Sequence, residues 1–349
     1  MNSIDISGRL IGTGQPCFII AEAGVNHNGS LDMARQLVDE AVLAGVDAIK
    51  FQTFKAERLV SIKAPKAKYQ LQTTGTSESQ LEMIKKLELS YDAFKELNAY
   101  CQKKGILFMS TPFDEESVDF LFDLGITVFK IPSGEITNTP FLEYVSRKGK
   151  PLIISTGMSY LGEVETALQT IKKTRNCDVI LLHCVSNYPA DPADVNLHAM
   201  KTMMNAFKVP VGYSDHTIGV DIPLAAVALG ACVLEKHFTL DCGLPGPDHK
   251  ASLEPEDLRR MVLGIRIVES ALGHGRKEPA ASEMDNLAVA RRSLVAAHDI
   301  SSGELINLNM IKIKRPGNGL PPALLPFIVG RTASVDIPVD TLLTMDMFG

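Results

Sequence analysis

Eight short apolar runs, set apart by longer amphipathic stretches, confine this 349-residue chain to a parallel β/α architecture. The runs are CFIIAEAG from residue 17, DAIKFQT from 47, ILFMSTP from 106, VFKIPSGE from 128, PLIISTGM from 151, VILLHCVS from 179, PVGYSDH from 210 and CVLEKHF from 232. The periodicity predicts helices over 30–45, 91–104, 114–124, 138–148, 160–174, 195–207, 219–230 and 255–272. Strands joined through helices run parallel and are buried on both faces, which is why they read as continuous apolar runs. Eight such units over about 250 residues predict a (β/α)8 TIM barrel, with a doubly wound open sheet as the alternative.

Two segments break the rhythm. Residues 54–90 separate the second strand from its helix, and a connection that long in a compact domain is usually functional; it is expected to cover the barrel mouth. Further on, GHGRKEPAASE at 273–283 mixes Gly, Pro, Ser and charge as linkers do. The chain therefore divides into a barrel over 1–275, a linker over 276–286 and a small β-rich domain over 287–349, where strand-like runs alternate with turn signals.

A net charge of −6 without any basic block argues against nucleic acid as a partner. The six cysteines, Cys17, Cys101, Cys177, Cys184, Cys232 and Cys242, form no CxxC pair and fit a reducing compartment as buried small hydrophobes. MNSIDISGRL lacks the regions of a signal peptide, and no apolar run reaches about 18 residues. The expectation is a soluble, cytoplasmic protein with no membrane partner.

Each apolar run turns polar at its C-terminal end, where barrel enzymes place their chemistry. The first gives Glu22, Asn26 and His27, the second Lys50 and Gln52, the third Ser110 and Thr111. Lys130, Ser133 and Glu135 follow on the fourth, Ser155 and Thr156 on the fifth, and His183, Ser186, Asn187 and Tyr188 on the sixth. The last two add Ser214, Asp215, His216, Glu235, Lys236 and His237. Adjacent parallel strands lie about 4.8 Å apart, so His216 and His237 at equivalent strand ends can share one metal ion and leave positions open for substrate. The bland alternative is two separately hydrogen-bonded histidines. Lys50 and Lys130 interrupt apolar runs, and a desolvated ammonium needs a partner; the candidates are Glu22 and Glu135, or an anionic phosphorylated and carboxylated substrate. Asp248 follows in GLPGPDH, close enough in sequence to reach the same mouth or merely to cap a turn.

The motifs AEAGVNHNG, IKFQT, STPF, KIPSGE, ISTGM, YSDHT, LEKHFT, PGPDH and KRPGNG, in that order, make the chain resemble the sialic acid synthase family over nearly its whole length. The resemblance implies a TIM barrel followed by an antifreeze-like (SAF) domain, in a domain-swapped homodimer. It also implies condensation of phosphoenolpyruvate with an N-acetylmannosamine-type sugar to give N-acetylneuraminate and phosphate. The implied cofactor is a divalent metal, manganese first, with magnesium or cobalt as alternatives, on His216 and His237. Phosphoenolpyruvate contacts fall on Lys50, Thr111, Lys130, Ser133, Ser155 and Ser214. Sugar contacts fall on Glu22, Gln52, Tyr188 and Asp248, the acid/base carboxylate on Glu135, with Glu22 as the other glutamate that could manage the protons, and the sugar's N-acetyl group on Arg315 from the partner subunit.

Two departures bear on the sugar. Ser186 stands where the family often has Asn, and LAVA at 287–290 replaces an aromatic. Both favour weighing 2,4-diacetamido-2,4,6-trideoxymannose, the precursor of N,N'-diacetyllegionaminate, as the acceptor. The rival readings are a metal-free Schiff-base aldolase on Lys50 or Lys130, and a non-catalytic sugar- or ice-binding protein whose tail does the work.

Overall fold

The computed structural model describes residues 3–175 and 178–349. Cys177 lies outside the described residues, and the other five cysteines are free thiols. Two compact units emerge, Met1–Gly273 and His274–Gly349.

All eight expected strands form in the first unit: β1 Phe18–Gly24, β2 Ala48–Thr53, β3 Leu107–Pro112, β4 Phe129–Ile131, β5 Leu152–Ser155, β6 Val179–Cys184, β7 Val211–Asp215 and β8 Val233–His237. They pair in parallel in the order β3-β2-β1-β8-β7-β6-β5-β4. The strands at the ends of that order, β3 and β4, also lie against one another and close the ring. The eight expected helices follow as α1 Leu31–Ala44, α2 Tyr91–Lys104, α3 Glu115–Asp123, α4 Thr139–Ser146, α5 Leu161–Thr174, α6 His198–Phe207, α7 Asp221–Ala228 and α8 Pro255–Leu272. Local chemistry starts them: Ser30, Ser90, Asp114 and Asn138 accept hydrogen bonds from the backbone N–H groups of Met33, Ala93, Ser117 and Phe141. Asn138, with a proline in the first turn, is what makes NTPFLEYV a helix rather than a loop.

Side chains alternate along each strand, so every second residue enters the barrel. At the N-terminal end of the ring these are apolar: Phe18, Ile20, Ala48, Met109, Ile153, Ile180 and Val233 pack together with Ile4, Ile6 and Ile11 of an N-terminal hairpin. One layer up, the same inward rows become Glu22, Lys50, Thr111, Lys130, Ser155, Ser214 and Glu235, all buried. A buried aliphatic side chain contributes about 1.5–3 kcal/mol; the upper layer forgoes that and must satisfy its polar groups instead. Gly212 lies in the row between: a Cβ there would stand 2.3 Å from the Val233 carbonyl oxygen and 2.7 Å from Leu182. The outward rows pack against the helices in one large apolar core.

The insert after β2 folds as three short helices, Ala56–Leu59, Lys68–Thr74 and Gln80–Lys85. It is anchored by Phe54 and Leu87 packing with Val25, joined by Leu59, Ile84 and Phe113.

In the second unit Ser293–Ala296 and Ile311–Lys314 pair antiparallel around Leu294, Ile300, Ile306, Leu343 and Phe348. The expected β-rich character is carried mostly by isolated bridges such as Ile300 with Ile337 and Ala333 with Phe348, because turns interrupt the strands. The segment expected as linker contains a 3-10 turn, Ala281–Glu283, and helix Met284–Ala290 crosses the expected border at 286/287.

Candidate active site

The C-terminal ends of the strands surround a cavity of about 340 Å³. Of the residues singled out from the sequence, Glu22, Lys50, Gln52, Thr111, Lys130, Ser133, Ser155, Ser186, Tyr188, Ser214, His216 and His237 line it. Tyr69 from the insert lines it too, so that segment does reach the mouth as expected.

At its floor two ammonium groups share two carboxylates. Lys50 Nζ lies 2.6 Å from Glu22 Oε2 and 3.6 Å from Glu235 Oε2, and Lys130 Nζ lies 3.2 Å from Glu235 Oε1. Lys50 also donates to Thr111 Oγ1 at 3.0 Å, Gln52 Nε2 to Glu22 Oε1 at 3.2 Å, and Ser214 Oγ to Glu235 Oε1 at 3.1 Å. Burial, with Glu235 beside it, pushes Glu22 up to about 7, although Lys50 opposes the shift. Burial also works on Glu235, but Lys130 and Lys50 outweigh it and hold that carboxyl well below the usual range. Lys130 is lowered by burial, while the carboxylates around Lys50 outweigh burial and raise it. The floor therefore holds a firm carboxylate and a second one poised to exchange a proton near neutrality.

Glu135 does not pair with either lysine. The sequence offered it as a lysine partner and as the acid/base group, yet its Oε2 accepts from Asn138 Nδ2 at 2.6 Å on the 3-10 turn Ser133–Glu135, while Ser133 and Gly134 face the cavity. A turn that brings Ser133 inward carries the residue two places on away from the ring. Its place beside the lysines is taken by Glu235.

A cradle of hydroxyls adjoins the lysines. The Gly157 N–H donates to Ser133 Oγ at 3.0 Å, Ser133 Oγ meets Cys184 Sγ at 3.1 Å, and Ser155 Oγ is buried with no hydrogen-bond partner. A Cβ at Gly157 would stand 2.3 Å from Ser186 Oγ, so only glycine lets these groups converge. An orphaned hydroxyl among N–H donors and two ammoniums suits a small polyanion.

Beside this cradle the imidazoles of His216 and His237 have centroids 5.5 Å apart, and Tyr188 packs on both at 4.1 and 5.5 Å. His216 Nδ1 contacts the Val185 carbonyl oxygen at 2.6 Å, so that nitrogen carries the proton and Nε2 keeps its lone pair. His237 Nδ1 is buried without a partner. Burial pushes His216 down to about 4 and His237 well below its ordinary value, which keeps both rings neutral. Two neutral imidazoles fit a divalent ion. Among the described residues no third His, Cys, Asp or Glu completes a cluster, so the remaining positions would fall to water or substrate.

Other strand-end residues face away. Asp215 and Lys236, adjacent to the two histidines, point outward and pair with each other, fully buried, with the Tyr213 hydroxyl donating to Asp215 at 2.9 Å. His183 Nε2 bonds the Val195 carbonyl oxygen at 2.7 Å and, half-buried, lines a separate pocket, and His27 Nδ1 accepts from the Gly29 N–H at 3.0 Å as a core histidine. Asp248 lines a second pocket together with Gln52, Tyr188 and His237. Arg315 belongs to the second unit.

A (β/α)8 barrel with a paired-imidazole edge and a lysine-serine cradle at its C-terminal mouth has the layout of an enzyme site suited to a small anion. The chain belongs to the NeuB family, whose model matches residues 37–277, and a SAF domain matches residues 291–349. It is 50% identical to the N,N'-diacetyllegionaminic acid synthase of Campylobacter jejuni, over 93% of this chain and 98% of that one. It is 48% identical to the enzyme of the same name from Legionella pneumophila, over 95% and 94%. Among solved structures it resembles the N-acetylneuraminic acid synthetase of Leptospira borgpetersenii at a TM-score of 0.73 and 38% identity, covering 82% of this chain and 95% of that one. The protein is an enzyme of the sialic acid (nonulosonic acid) synthase type. No helix among the described residues is long and apolar enough to cross a membrane.

The Asp215–Lys236 pair should behave as a buried structural pair. Lys236→Met, which strands a buried carboxylate, is expected to cost about 3–5 kcal/mol, and Asp215→Asn/Lys236→Met to recover part of it. Denaturant unfolding compares them; equal stability of the single and double variants would contradict the pairing.

Proposed function

We propose that the enzyme condenses phosphoenolpyruvate with 2,4-diacetamido-2,4,6-trideoxymannose to give N,N'-diacetyllegionaminate and phosphate. The observation that carries this acceptor is near full-length identity of 50% and 48% to two relatives of that name. The sequence motifs had put N-acetylmannosamine first; it stays as the second reading, favoured by the likeness to the N-acetylneuraminic acid synthetase structure.

Lys50, Lys130, Thr111 and Ser214 would hold the carboxylate and phosphate of phosphoenolpyruvate over the floor, with Ser133 and Ser155 completing the cradle. His216 and His237 would hold the divalent ion, manganese before magnesium or cobalt, that polarises the acceptor's open-chain aldehyde when bound. C3 of phosphoenolpyruvate then bonds to the aldehyde carbon, whose oxygen takes up a proton. Water adds at C2, and phosphate leaves with its oxygen as the C2 carbonyl forms. Glu22, which lines the cavity and is pushed up to about 7, would pass these protons, with Glu135 as the alternative carboxylate. Gln52, Ser186, Tyr188 and Asp248 are assigned to the sugar. Arg315 is assigned to the sugar's N-acetyl group across a domain-swapped homodimer.

A Schiff-base aldolase needs a free neutral amine, whereas Lys50 and Lys130 are both held by carboxylates. Borohydride with substrate should therefore trap nothing.

Phosphate release from phosphoenolpyruvate, measured with both sugars side by side and with a chelator, tests the reaction: the diacetamido sugar should be used with the higher kcat/KM, and chelation should silence both. Turnover unaffected by exhaustive chelation would remove the metal from the scheme. The rate should also follow a group near 7. If Glu22 acts as base, its carboxylate form is needed and kcat rises with pH through that value; the inflection should vanish in Glu22→Gln, and its survival would assign it elsewhere. A mixture of Arg315→Ala and His216→Ala subunits should regain activity that neither variant has, and no recovery after proven subunit exchange would count against the swap.

A further inference from the structure

Next to the catalytic cavity, and sharing Gln52, Tyr69, Phe113, Tyr188 and His237 with it, lies a second pocket of about 210 Å³. Its far wall is apolar and comes mostly from the insert: Val25, Phe54, Leu59, Met83, Ile84 and Leu87. Phe54, Val25 and Leu87 are a packed cluster, but Leu59 and Ile84 are only partly buried and leave the space unfilled. Among the described residues that line it there is no lysine or arginine.

Gln70 and Asp248 are the polar groups beside that wall. Asp248 is 8% exposed and its carboxylate has no hydrogen-bond or ion-pair partner among the described residues. Burial alone pushes it up to about 6. A carboxylate on a pocket wall with no protein donor has its lone pairs available to a ligand N–H. Tyr69, whose ring lies 5.2 Å from that of Tyr188, lines both this pocket and the catalytic cavity.

The pocket is thus a continuation of the cavity on the side of the imidazole pair, with an apolar insert wall, the amide of Gln70 and the carboxylate of Asp248. An open-chain sugar with its aldehyde at His216 and His237 would send its far carbons there. We propose, resting on the functional reading above, that this pocket is the acceptor's distal subsite: Leu59, Met83 and Ile84 take a C6 methyl group, and Asp248 accepts an N–H of the 4-acetamido group. A C6 hydroxyl set against Leu59, Met83 and Ile84 finds no partner on those three side chains, and a C6 phosphate meets the Asp248 carboxylate. A hydroxyl against an apolar wall changes kcat/KM by about tenfold to a hundredfold; a phosphate facing Asp248 should lose more.

The test uses the full-length enzyme and phosphate release from phosphoenolpyruvate with three acceptors: 2,4-diacetamido-2,4,6-trideoxymannose, N-acetylmannosamine and N-acetylmannosamine 6-phosphate. The expected order of kcat/KM is the order just given, with at least about tenfold between the first two. Leu59→Gln and Ile84→Gln should shrink that ratio through the KM of the diacetamido sugar while the KM for phosphoenolpyruvate and the melting temperature hold. Asp248→Asn, which is isosteric and independent of how the glutamine variants fold, should weaken the diacetamido sugar and relax the rejection of the 6-phosphate by about tenfold or more. A preference for either N-acetylmannosamine substrate, or a diacetamido preference that all three variants leave intact, overturns the subsite while the condensation stands. Phosphate release with none of the three acceptors defeats the functional reading itself.

Discussion

Two lysine ammoniums are held inside a closed ring of β-strands, and most of what surrounds them follows from the need to keep them charged there. Coulombic attraction between buried unit charges is large, but so is the cost of removing them from water, and only a network with its hydrogen bonds filled repays it. Glu22 and Glu235 supply the countercharge, and Thr111, Gln52 and Ser214 fill most of the remaining valences. The network stops short of closing. Ser155 Oγ, under the same roof, has no partner, and space remains above it. A stability-optimised core would have used aliphatic side chains throughout the ring, as its lower layer does.

The layering explains how one strand serves both ends. Phe18, Ile20 and Glu22 share an inward row on β1, as Val233, Glu235 and His237 do on β8. The apolar members close the bottom with the N-terminal hairpin and hold the strand ends in place. The polar members arrive at the top on a scaffold too rigid to let them spread. The outward pair Asp215–Lys236 lies directly behind the imidazoles, and the same two strands that present His216 and His237 to the cavity are tied together on their other face.

The insert divides labour differently. It adds no charge to the floor. It brings Tyr69 against Tyr188, which packs on both histidines, and it supplies the apolar wall around Asp248. The polar, electrostatic end of the site is therefore built by strands and its apolar wall by a loop, the usual arrangement when one chemistry serves several related substrates.

The eight strands and eight helices were legible in the chain, because apolar runs of strand length between amphipathic stretches admit few other arrangements and caps such as Ser30 and Asn138 mark where helices begin. So was the gathering of Lys50, Lys130, His216 and His237 at one rim, since parallel strands put all their C-terminal ends together. The period of two along a strand also held information that residue type obscured: counting from Val233 places Glu235 inward and Lys236 outward, and counting from Gly212 does the same for Ser214 and Asp215. What the tertiary structure alone decided lies off the strands. Glu135 turned to Asn138 because a 3-10 turn, not strand alternation, aims it, and Tyr69, Leu59 and Ile84 acquired a site only when the insert folded back over the ring. Periodicity carries a residue's direction within a strand or helix; past its end, direction is set by contacts between segments distant in the chain, and those exist only in the folded molecule.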